Sequence, residues 1–240
     1  MHRKKLSLFI VLAALTPLLS FGQYISLNEY KGELGTSIGT TTYIGQIGGE
    51  SQTYRANFNL YFRKILTPQF SLRINYECLP LGANDSSSKN FAYIQRGFSF
   101  YRPFHELSFL FEYYFEKQNA LQIKYNKVVP YIGIGMGYIL NLPKDYNNFK
   151  TYNFEYEKLQ DQYFPIFTIP LNLGIKYATK NNLNIFTEAT YRVTSSDQID
   201  NFGDGESIAT KNGTFASSKN KNDRIFSFKI GLFKTILNKY

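Results

Sequence analysis

The sequence predicts an all-β fold: an eight-stranded antiparallel transmembrane β-barrel with short periplasmic turns and long extracellular loops. Three observations lead to this prediction. The chain begins with an export signal, apolar and polar residues then alternate in eight stretches, and the links between these stretches alternate between short and long. Alternation with a period of two indicates a strand with one apolar face. The order of the links is typical of outer-membrane barrels.

The first 22 residues have the features of a secretory signal peptide. A basic segment at 3–5 precedes an apolar segment at 6–19, and small residues follow before a cleavage site at Gln23. The apolar segment is shorter than the ~20 residues of a membrane-spanning helix, which disfavours an uncleaved anchor. We therefore predict a signal peptide over 1–22, a barrel domain over 23–240, and export to the outer membrane.

The composition limits the kinds of partner that the chain can bind and the ways in which it can cross a membrane. Removing the signal leaves 24 Lys and Arg against 18 Asp and Glu, a net charge of +6. These basic residues are spread along the chain, so we predict no nucleic-acid partner. The single cysteine, Cys78, excludes an intramolecular disulfide. No stretch after the signal has the length and apolar purity of a transmembrane helix, so any membrane-spanning surface has to come from strands.

Four alternating stretches lie in the first half of the chain. They are 30–39 (YKGELGTSIG), 53–64 (TYRANFNLYFRK), 70–78 (FSLRINYEC) and 105–115 (HELSFLFEYYF). In each of them apolar side chains occupy one face, and polar or small side chains occupy the other. Leu110 alone breaks the order of the fourth stretch. Each stretch is long enough for one barrel strand.

Four further stretches complete the predicted barrel, namely 131–140, 167–177, 183–194 and 224–233. In FTIPLNLGIKY every second residue from Phe167 is apolar, whereas Phe186 breaks the order of the next stretch. Pro170 removes one hydrogen-bond donor from a strand that a closed barrel should pair on both sides. We therefore predict a bulge or a local break there.

The links between these stretches have a pattern of their own. The second, fourth and sixth links are comparatively short. Three of the others are long and rich in Asn, Asp, Ser, Lys and Gly: Leu79–Gln95, Asn141–Pro165 and Ser195–Asp223. A soluble β-sandwich, the main alternative fold, has no reason to alternate short and long links. With the amino terminus in the periplasm, the long links fall outside the cell, as in outer-membrane barrels.

The polar face of the predicted strands carries charges of both signs. In a soluble sandwich these charges would simply face solvent. In an eight-stranded barrel they share a narrow lumen, where opposite charges must pair. Glycines in the fifth stretch would leave space for long side chains. The predicted inward residues are Lys31, Glu33, Arg55, Arg73, Glu77, Glu106, Glu112, Lys176, Glu188, Arg192 and Lys229, and all except Lys31 form our predicted lumen charge network.

Tyrosines lie towards the strand ends on the predicted outward face. They are Tyr30, Tyr54, Tyr76, Tyr113 and Tyr177. Aromatic residues at this depth form the interfacial girdle of membrane barrels. We therefore predict outer-membrane lipid and lipopolysaccharide as partners of the outer wall.

The sequence gives little support to catalysis or to metal binding. His105 is the one histidine after the signal, and its neighbour Glu106 falls on the opposite strand face, so the two cannot act as a base and its orienting carboxylate. His105 and Cys78 lie on different strands, which falls short of a zinc ligand set. The acidic segment 197–206 lacks the ligand spacing of a calcium loop. We predict no catalytic residue, no metal and no cofactor.

Several stretches, taken in order, resemble the PorG-like small outer-membrane barrels of Bacteroidota. The amino-terminal part contains LGTSIGTTTYIGQIGG, and the middle contains RGFSFYRPFHELSFLFEYYF and then VVPYIGIGMGYILNLP. The carboxyl-terminal part contains FTIPLNLGIKY, followed by FTEATYRVTSSDQID. The chain departs from the family at Gly45-Gln46, where Gly-Asp is expected, and after Asp197, where an aromatic residue often follows.

The resemblance implies an accessory role in the type IX secretion machinery, with contacts to periplasmic secretion proteins. We accordingly expect a non-enzymatic structural or accessory component of an outer-membrane assembly. An adhesin or ligand receptor that acts through the extracellular loops is the first alternative. An outer-membrane lipid-modifying or proteolytic enzyme is the second. A pore is the third, and a lumen filled with charges argues against it.

Overall fold

The structure is a computed structural model that describes residues 29–47, 53–116, 127–141, 166–179, 183–196, 199, 207–210, 213–216 and 222–239. At 29–31, 92, 96, 141, 207–210, 213–216 and 237–239 only the backbone is described. The predicted signal peptide, the link 142–165 and most of 195–223 lie outside these residues. The expectations for those segments stay predictions.

Eight strands close into an antiparallel barrel. They are β1 (Glu29–Ile44), β2 (Tyr54–Ile65), β3 (Phe70–Asn84), β4 (Ser99–Tyr114), β5 (Val128–Asn141), β6 (Ile166–Tyr177), β7 (Leu183–Thr194) and β10 (Arg224–Lys239). Each strand pairs with its neighbours in the order β1-β10-β7-β6-β5-β4-β3-β2, and pairing of β1 with β10 closes the ring. The predicted fold class, an all-β barrel of eight antiparallel strands, is confirmed.

Short elements that the alternation does not predict lie between the barrel strands. A 3₁₀ turn at Asp85–Ser87 and a helix at Phe91–Arg96 join β3 to β4. The strands β8 (Ser207–Thr210) and β9 (Gly213–Ala216) form a separate two-stranded sheet. Among the described residues, no helix has both the length and the apolar character needed to cross a membrane.

The alternation places one set of side chains inside the barrel and the other outside. In β6 buried and exposed residues alternate at every position from Ile166 to Tyr177. The two residues that break the sequence pattern, Leu110 and Phe186, both lie inside and are 2% exposed. Strand geometry, rather than polarity, therefore decides the side on which a residue lies.

Strands β3 and β4 are longer than predicted. Residues Leu79–Asn84, predicted as loop, continue β3 and pair with Ser99–Phe104 of β4. The period of two persists there, but the apolar set moves to the inward face, where Leu79 and Leu81 are fully buried. We call these two segments the β3–β4 extension. The end of the barrel that carries it is the loop end, and the end where β2 joins β3 is the turn end.

The predicted break at Pro170 is confirmed. In the β5–β6 ladder Ile134 pairs with Leu171 and Gly137 with Thr168, whereas no pairs join the two residues between them on each strand. The register is the same on both sides of this gap, so the ladder is interrupted without a bulge. On its other edge Pro170 stays in register with β7. Because proline lacks an N–H donor, the interruption falls on one edge of the strand only.

Candidate functional site

The middle of the barrel interior is occupied by charged side chains. Five cations and five anions, each at most 4% exposed, are connected by ion pairs. They form one unbranched series in which the sign alternates at every step, and we call it the ion-pair chain. From the turn end to the loop end it runs Lys176, Glu33, Arg63, Glu112, Arg73, Glu188, Lys229, Glu77, Arg192 and Glu106.

The turn-end part of the chain centres on Arg63. Its Nη1 lies 2.7 Å from Glu33 Oε2, and its Nε lies 2.5 Å from Glu112 Oε2. Glu33 also accepts a hydrogen bond from Lys176 Nζ at 2.7 Å. Arg63 thus joins β1 to β4 across the lumen, and Lys176 adds β6. Six of the nine ion pairs of the chain join strands that are not neighbours, and the other three join β1 to β2, β3 to β4 and β7 to β10.

The middle part of the chain centres on Glu188. Arg73 donates to both of its oxygens, with Nη1 to Oε2 at 2.7 Å and Nη2 to Oε1 at 3.0 Å. Lys229 Nζ lies 3.3 Å from Glu188 Oε1, and Arg73 Nη1 lies 3.2 Å from Glu112 Oε1. The two-pronged contact of an arginine with a carboxylate is the strongest geometry that such a pair adopts.

The loop-end part of the chain centres on Arg192. Its Nη2 lies 2.7 Å from Glu77 Oε2, and its Nε lies 2.7 Å from Glu106 Oε2. Lys229 Nζ donates to the same oxygen of Glu77 at 2.6 Å. Glu106 also accepts from Thr168 Oγ1 at 2.5 Å. The chain therefore ends at a carboxylate whose two oxygens both have donors.

Like charges oppose each other in the strand ladder. Glu77 faces Glu106 across β3 and β4, and Arg63 faces Arg73 across β2 and β3. Directly opposite like charges destabilise a sheet. Arg192 contacts both glutamates, and Glu112 contacts both arginines, so each repulsive pair is bridged from another strand. Arg192 reaches its two glutamates across the lumen from β7, whereas Glu112 lies on β4, beside β3.

Tyrosines and glycines fit around the ion-pair chain. Tyr131 Oη donates to Glu188 Oε2 at 2.7 Å, and Tyr114 Oη donates to Glu112 Oε2 at 2.9 Å. A Cβ atom at Gly174 would lie 2.5 Å from Tyr131 Cζ, and one at Gly137 would lie 2.7 Å from Glu106 Oε1. The inward glycines therefore provide the volume that the long side chains fill, as expected for the fifth predicted stretch.

The loop end of the interior is mainly apolar, with the buried charged residues Arg102 and Asp223 at its margin. Tyr43 and Phe100 meet edge to face there, with ring centroids 4.9 Å apart. Tyr43 Oη donates to Asp223 Oδ1 at 2.6 Å, which fixes the segment that precedes β10 against this end. We call the buried set the loop-end apolar cluster: Tyr43, Ile47, Leu79, Leu81, Ala83, Phe98, Phe100, Phe104, Ile139, Ile166, Ile199 and Ile225.

Nine of the ten residues of the predicted lumen network belong to the ion-pair chain, and Arg55 does not. Arg55 is exposed, and its Cζ lies 5.1 Å from the ring centroid of Tyr101. The β2–β3 ladder begins only at Phe58 with Cys78, so at position 55 the wall that would enclose an inward side chain is missing. For Lys31 the structure describes the backbone only.

The prediction missed Arg63, which belongs to the centre of the turn-end part. The signal was present, because Arg63 follows Asn59 and Tyr61 at the inward spacing of two. Arg63 is fully buried, and its guanidinium carbon lies 4.8 Å from the ring centroid of Tyr61. The alternation of the stretch 53–64 already places Arg63 on the inward face, so it belonged in the predicted network.

A second cluster lies on the outer wall. His105 and Cys78 are cross-strand partners, and Cys78 Sγ lies 3.6 Å from His105 Nδ1. Tyr76 Oη lies 2.7 Å from the same nitrogen. Glu106 points into the lumen, on the opposite face from His105, which is the arrangement that the period of two predicts. We call Tyr76, Cys78 and His105 the outer-wall cluster.

The chemistry of the two clusters differs. Every glutamate of the ion-pair chain is bound to a cation, which leaves no unpaired carboxylate there to act as a general acid or base. In the part of the chain that the structure describes, no group of three or more His, Cys, Asp and Glu side chains is arranged to hold a metal ion. The outer-wall cluster has two such side chains and a phenol.

The sequence resembles a family of known proteins over most of its length. The sequence profile of a protein family described as Domain of unknown function (DUF6089) matches residues 11–235. No curated protein sequence matches the chain.

Solved barrels resemble the chain in structure at low identity. Neisserial surface protein A (NspA) is 10% identical, with 87% of this chain and 97% of that chain covered and a TM-score of 0.48. The outer membrane protein OprG from Pseudomonas aeruginosa is 8% identical, with 87% and 96% covered and a TM-score of 0.45. The N-terminal β-barrel domain of Pseudomonas aeruginosa OprF is 11% identical, with 84% and 96% covered and a TM-score of 0.41.

Proposed function

This chain belongs to the protein family described as Domain of unknown function (DUF6089), and from that premise we propose a function based on its barrel. It is a non-enzymatic outer-membrane β-barrel with a sealed lumen, and it serves as a structural or accessory component of an outer-membrane assembly. The observation that carries the proposal is the unbroken ion-pair chain beneath the loop-end apolar cluster.

The outer wall supports a membrane location. Side chains that face away from the lumen are large and apolar through the middle of the strands, with Ile38, Leu173 and Met136 exposed by 65%, 62% and 75%. Soluble proteins have an apolar interior and a polar surface, whereas this barrel has a charged interior and a contiguous apolar outer wall. Such a wall is stable when it is surrounded by lipid. The predicted export signal leads to the outer membrane.

The interior supports a sealed barrel rather than a pore. Arg63, Arg73 and Arg192 are each at most 1% exposed and reach across the lumen to carboxylates on other strands. An ion that entered the barrel would have to separate these pairs, and separating a buried pair is costly. The apolar cluster adds a second barrier at the loop end.

The surroundings of His105 support a non-enzymatic role. Among the described residues its hydrogen-bond partners are Tyr76 and Cys78, and neither is a carboxylate that would orient the imidazole as a base. Its neighbour Glu106 faces the lumen, where Arg192 binds it. A Ser-His-acid arrangement therefore has no support at this histidine.

The resemblance to PorG-like barrels gives the proposal its finer form, an accessory role in type IX secretion. In that form periplasmic secretion proteins bind the turn end, where the links are short. The outer wall contacts lipid and lipopolysaccharide, with Tyr54 and Tyr177 exposed at strand ends and Tyr76 exposed within β3.

A surface receptor or adhesin is the second candidate, and the β3–β4 extension favours it. This segment buries apolar side chains inward and exposes Tyr101 on its outer side, where the exposed Arg55 of β2 lies against the Tyr101 ring. A wall with this pattern is stable in water, so it projects beyond the membrane and offers a rigid surface for a ligand.

Conductance measurements test the sealed lumen. The wild-type barrel in a planar lipid bilayer should show no discrete conductance steps. A variant with Arg63, Arg73 and Arg192 each changed to alanine removes three of the bridging cations and serves as the positive control for an opened lumen. Stable unitary steps in the wild type would overturn the sealed-lumen proposal.

Photo-crosslinking in the native outer membrane separates the two candidates. One crosslinking residue replaces Pro68 in the exposed turn between β2 and β3, and another replaces Lys89 in the exposed link between β3 and β4. An accessory component predicts crosslinks to periplasmic proteins from position 68 and none from position 89. Crosslinks from position 89 alone would favour the receptor.

A further inference from the structure

The chain has one cysteine, and after the predicted signal it has one histidine. The fold brings these two residues together, because Cys78 of β3 and His105 of β4 are directly opposed in the ladder. Both are half-buried on the outer wall. Directly opposed residues on one face of an antiparallel pair are the closest cross-strand neighbours that a sheet allows.

The distances in this cluster fit a metal ion. A zinc ion bonds to a thiolate at about 2.3 Å and to an imidazole at about 2.0 Å, so tetrahedral geometry places the sulfur and nitrogen about 3.6 Å apart. The distance from Cys78 Sγ to His105 Nδ1 is 3.6 Å. No rearrangement of the backbone is needed for one ion to reach both atoms.

A third donor stands beside them. Tyr76 Oη lies 2.7 Å from His105 Nδ1, and its ring stacks on the imidazole with centroids 5.8 Å apart and planes inclined by 22°. The stacking holds the imidazole so that Nδ1 faces both the phenol and the thiol. For an ion to bind all three atoms, the phenol has to turn away from Nδ1 and give up this hydrogen bond.

The position of the cluster gives it access to water. On the turn-end side of the cluster, the apolar side chains Ile74 of β3 and Leu107 of β4 are exposed and face outward. On its loop-end side the apolar side chains face inward, beginning with Leu79 and Phe104. The cluster therefore lies where the wall changes from a lipid-facing pattern to a water-facing pattern. An ion can reach it from the aqueous side of the loop end.

We propose that Cys78, His105 and Tyr76 form a binding site for a thiophilic transition-metal ion of the zinc class on the outer wall of the barrel. Sulfur and imidazole donors select such ions over calcium and magnesium, which require oxygen ligands. The thiol loses its proton to solvent when the ion binds. Water fills the fourth position. The site is independent of the proposed accessory role.

Zinc protection of the thiol is the first test. The mature chain is refolded into lipid nanodiscs, and Cys78, its only thiol, is labelled with a soluble maleimide with and without Zn²⁺. Because the free thiolate is the nucleophile, bound zinc should slow labelling by about tenfold or more. His105→Phe keeps a ring against Tyr76 but lacks the nitrogen donors, so zinc should leave its labelling rate unchanged. Equal labelling of wild type with and without zinc would overturn the site, as would equal protection in His105→Phe.

Cobalt spectroscopy is the second test and reports the ligands directly. Co²⁺ added to the wild type should produce a near-ultraviolet sulfur-to-cobalt charge-transfer band that is lost in Cys78→Ser. Tyr76→Phe should weaken cobalt binding by about tenfold. Tyr138→Phe, on the outer wall of β5, is the matched control and should not change it. An unchanged affinity in Tyr76→Phe would overturn the role of the phenol, and a spectrum without the band in folded wild type would overturn the site.

Discussion

Two regions of one barrel interior are built in opposite ways. In the middle, Arg63, Arg73 and Glu188 take part in a continuous ion-pair chain, and the two arginines also lie against the ring of Tyr61. At the loop end, Leu81 and Phe104 pack in a cluster with the character of a soluble protein core. The same strands, β3 and β4, contribute to both regions, so the difference arises along the strands and not between them.

The difference shows that the surroundings of the outer wall decide the contents of the interior. Where the wall faces lipid, outward residues have to be apolar, and the polar half of the alternation is left for the lumen. Where the wall faces water, the apolar residues of the alternating pattern are more stable inside the barrel. In the proposed membrane location, the change between Cys78 and Leu79 in β3 marks a boundary of the membrane, and the ion-pair chain ends on the turn-end side of it, at Glu106.

Breaking the ion-pair chain at Arg63 should have the largest effect. Arg63→Met leaves Glu33 and Glu112 without their shared cation, so the free energy of unfolding should fall by about 3–5 kcal/mol. Arg55→Met is the matched control on the same strand. Because Arg55 is exposed, that change should stay within about 0.5 kcal/mol. Urea titration of the refolded barrel in lipid vesicles measures both. Equal effects of the two changes would contradict the difference between the interior and the exterior.

A cavity in the loop-end apolar cluster should have a slightly smaller effect. Leu81 is fully buried, and Leu81→Ala should lower the free energy of unfolding by about 2–5 kcal/mol. Leu173→Ala, on the outer wall, should cost less because lipid fills the space. Amide hydrogen exchange should accelerate in the β3–β4 extension and stay slow around Arg73. Uniform acceleration in all strands would mean that the two regions are not energetically separate.

The sequence predicts the first region much better than the second. A period of two identifies inward positions whatever their polarity, so Glu77, Lys176 and Arg192 could be assigned without knowing their contacts. Their pairing partners could not be assigned, because ion pairs cross the lumen between strands that are distant in the chain. Arg55 was misplaced because the alternation does not reveal where the neighbouring strand stops.

The loop-end region was predicted as loop for a different reason. The stretch LPLGAN alternates, but its apolar residues occupy the phase that faces the lumen, opposite to that of the preceding FSLRINYEC. A prediction that assumes apolar residues on one face throughout stops where they change to the other face, even though the strand continues. The outer-wall cluster was missed similarly, because Cys78 and His105 become neighbours only through the register of β3 and β4.

Arginine on the outer wall tests the membrane boundary itself. Leu171 pairs with Ile134 in the apolar wall, and Leu171→Arg should lower the free energy of unfolding in lipid by about 2–4 kcal/mol. Tyr101, in the β3–β4 extension, has the same 41% exposure as Leu171. Tyr101→Arg should nevertheless cost less than about 1 kcal/mol, because this part of the wall faces water, which screens the repulsion between the new charge and Arg55. Equal costs at the two positions would place the boundary elsewhere.

Removing one hydroxyl group from the ion-pair chain should have the smallest effect. In Tyr131→Phe the ring still covers Gly174, but Glu188 loses one donor and keeps Arg73 and Lys229. A hydrogen bond to a charged group contributes about 1.5–3 kcal/mol, so the free energy of unfolding should fall by an amount at the lower end of that range. Tyr138→Phe, on the outer wall, should change it by less than about 0.5 kcal/mol. If both changes were neutral, the cations alone would satisfy Glu188, and the neutral donors around the chain would serve only to fill volume. A measurable loss in Tyr131→Phe would instead mean that the balance of charge in this lumen depends on neutral donors as well as on opposite ions.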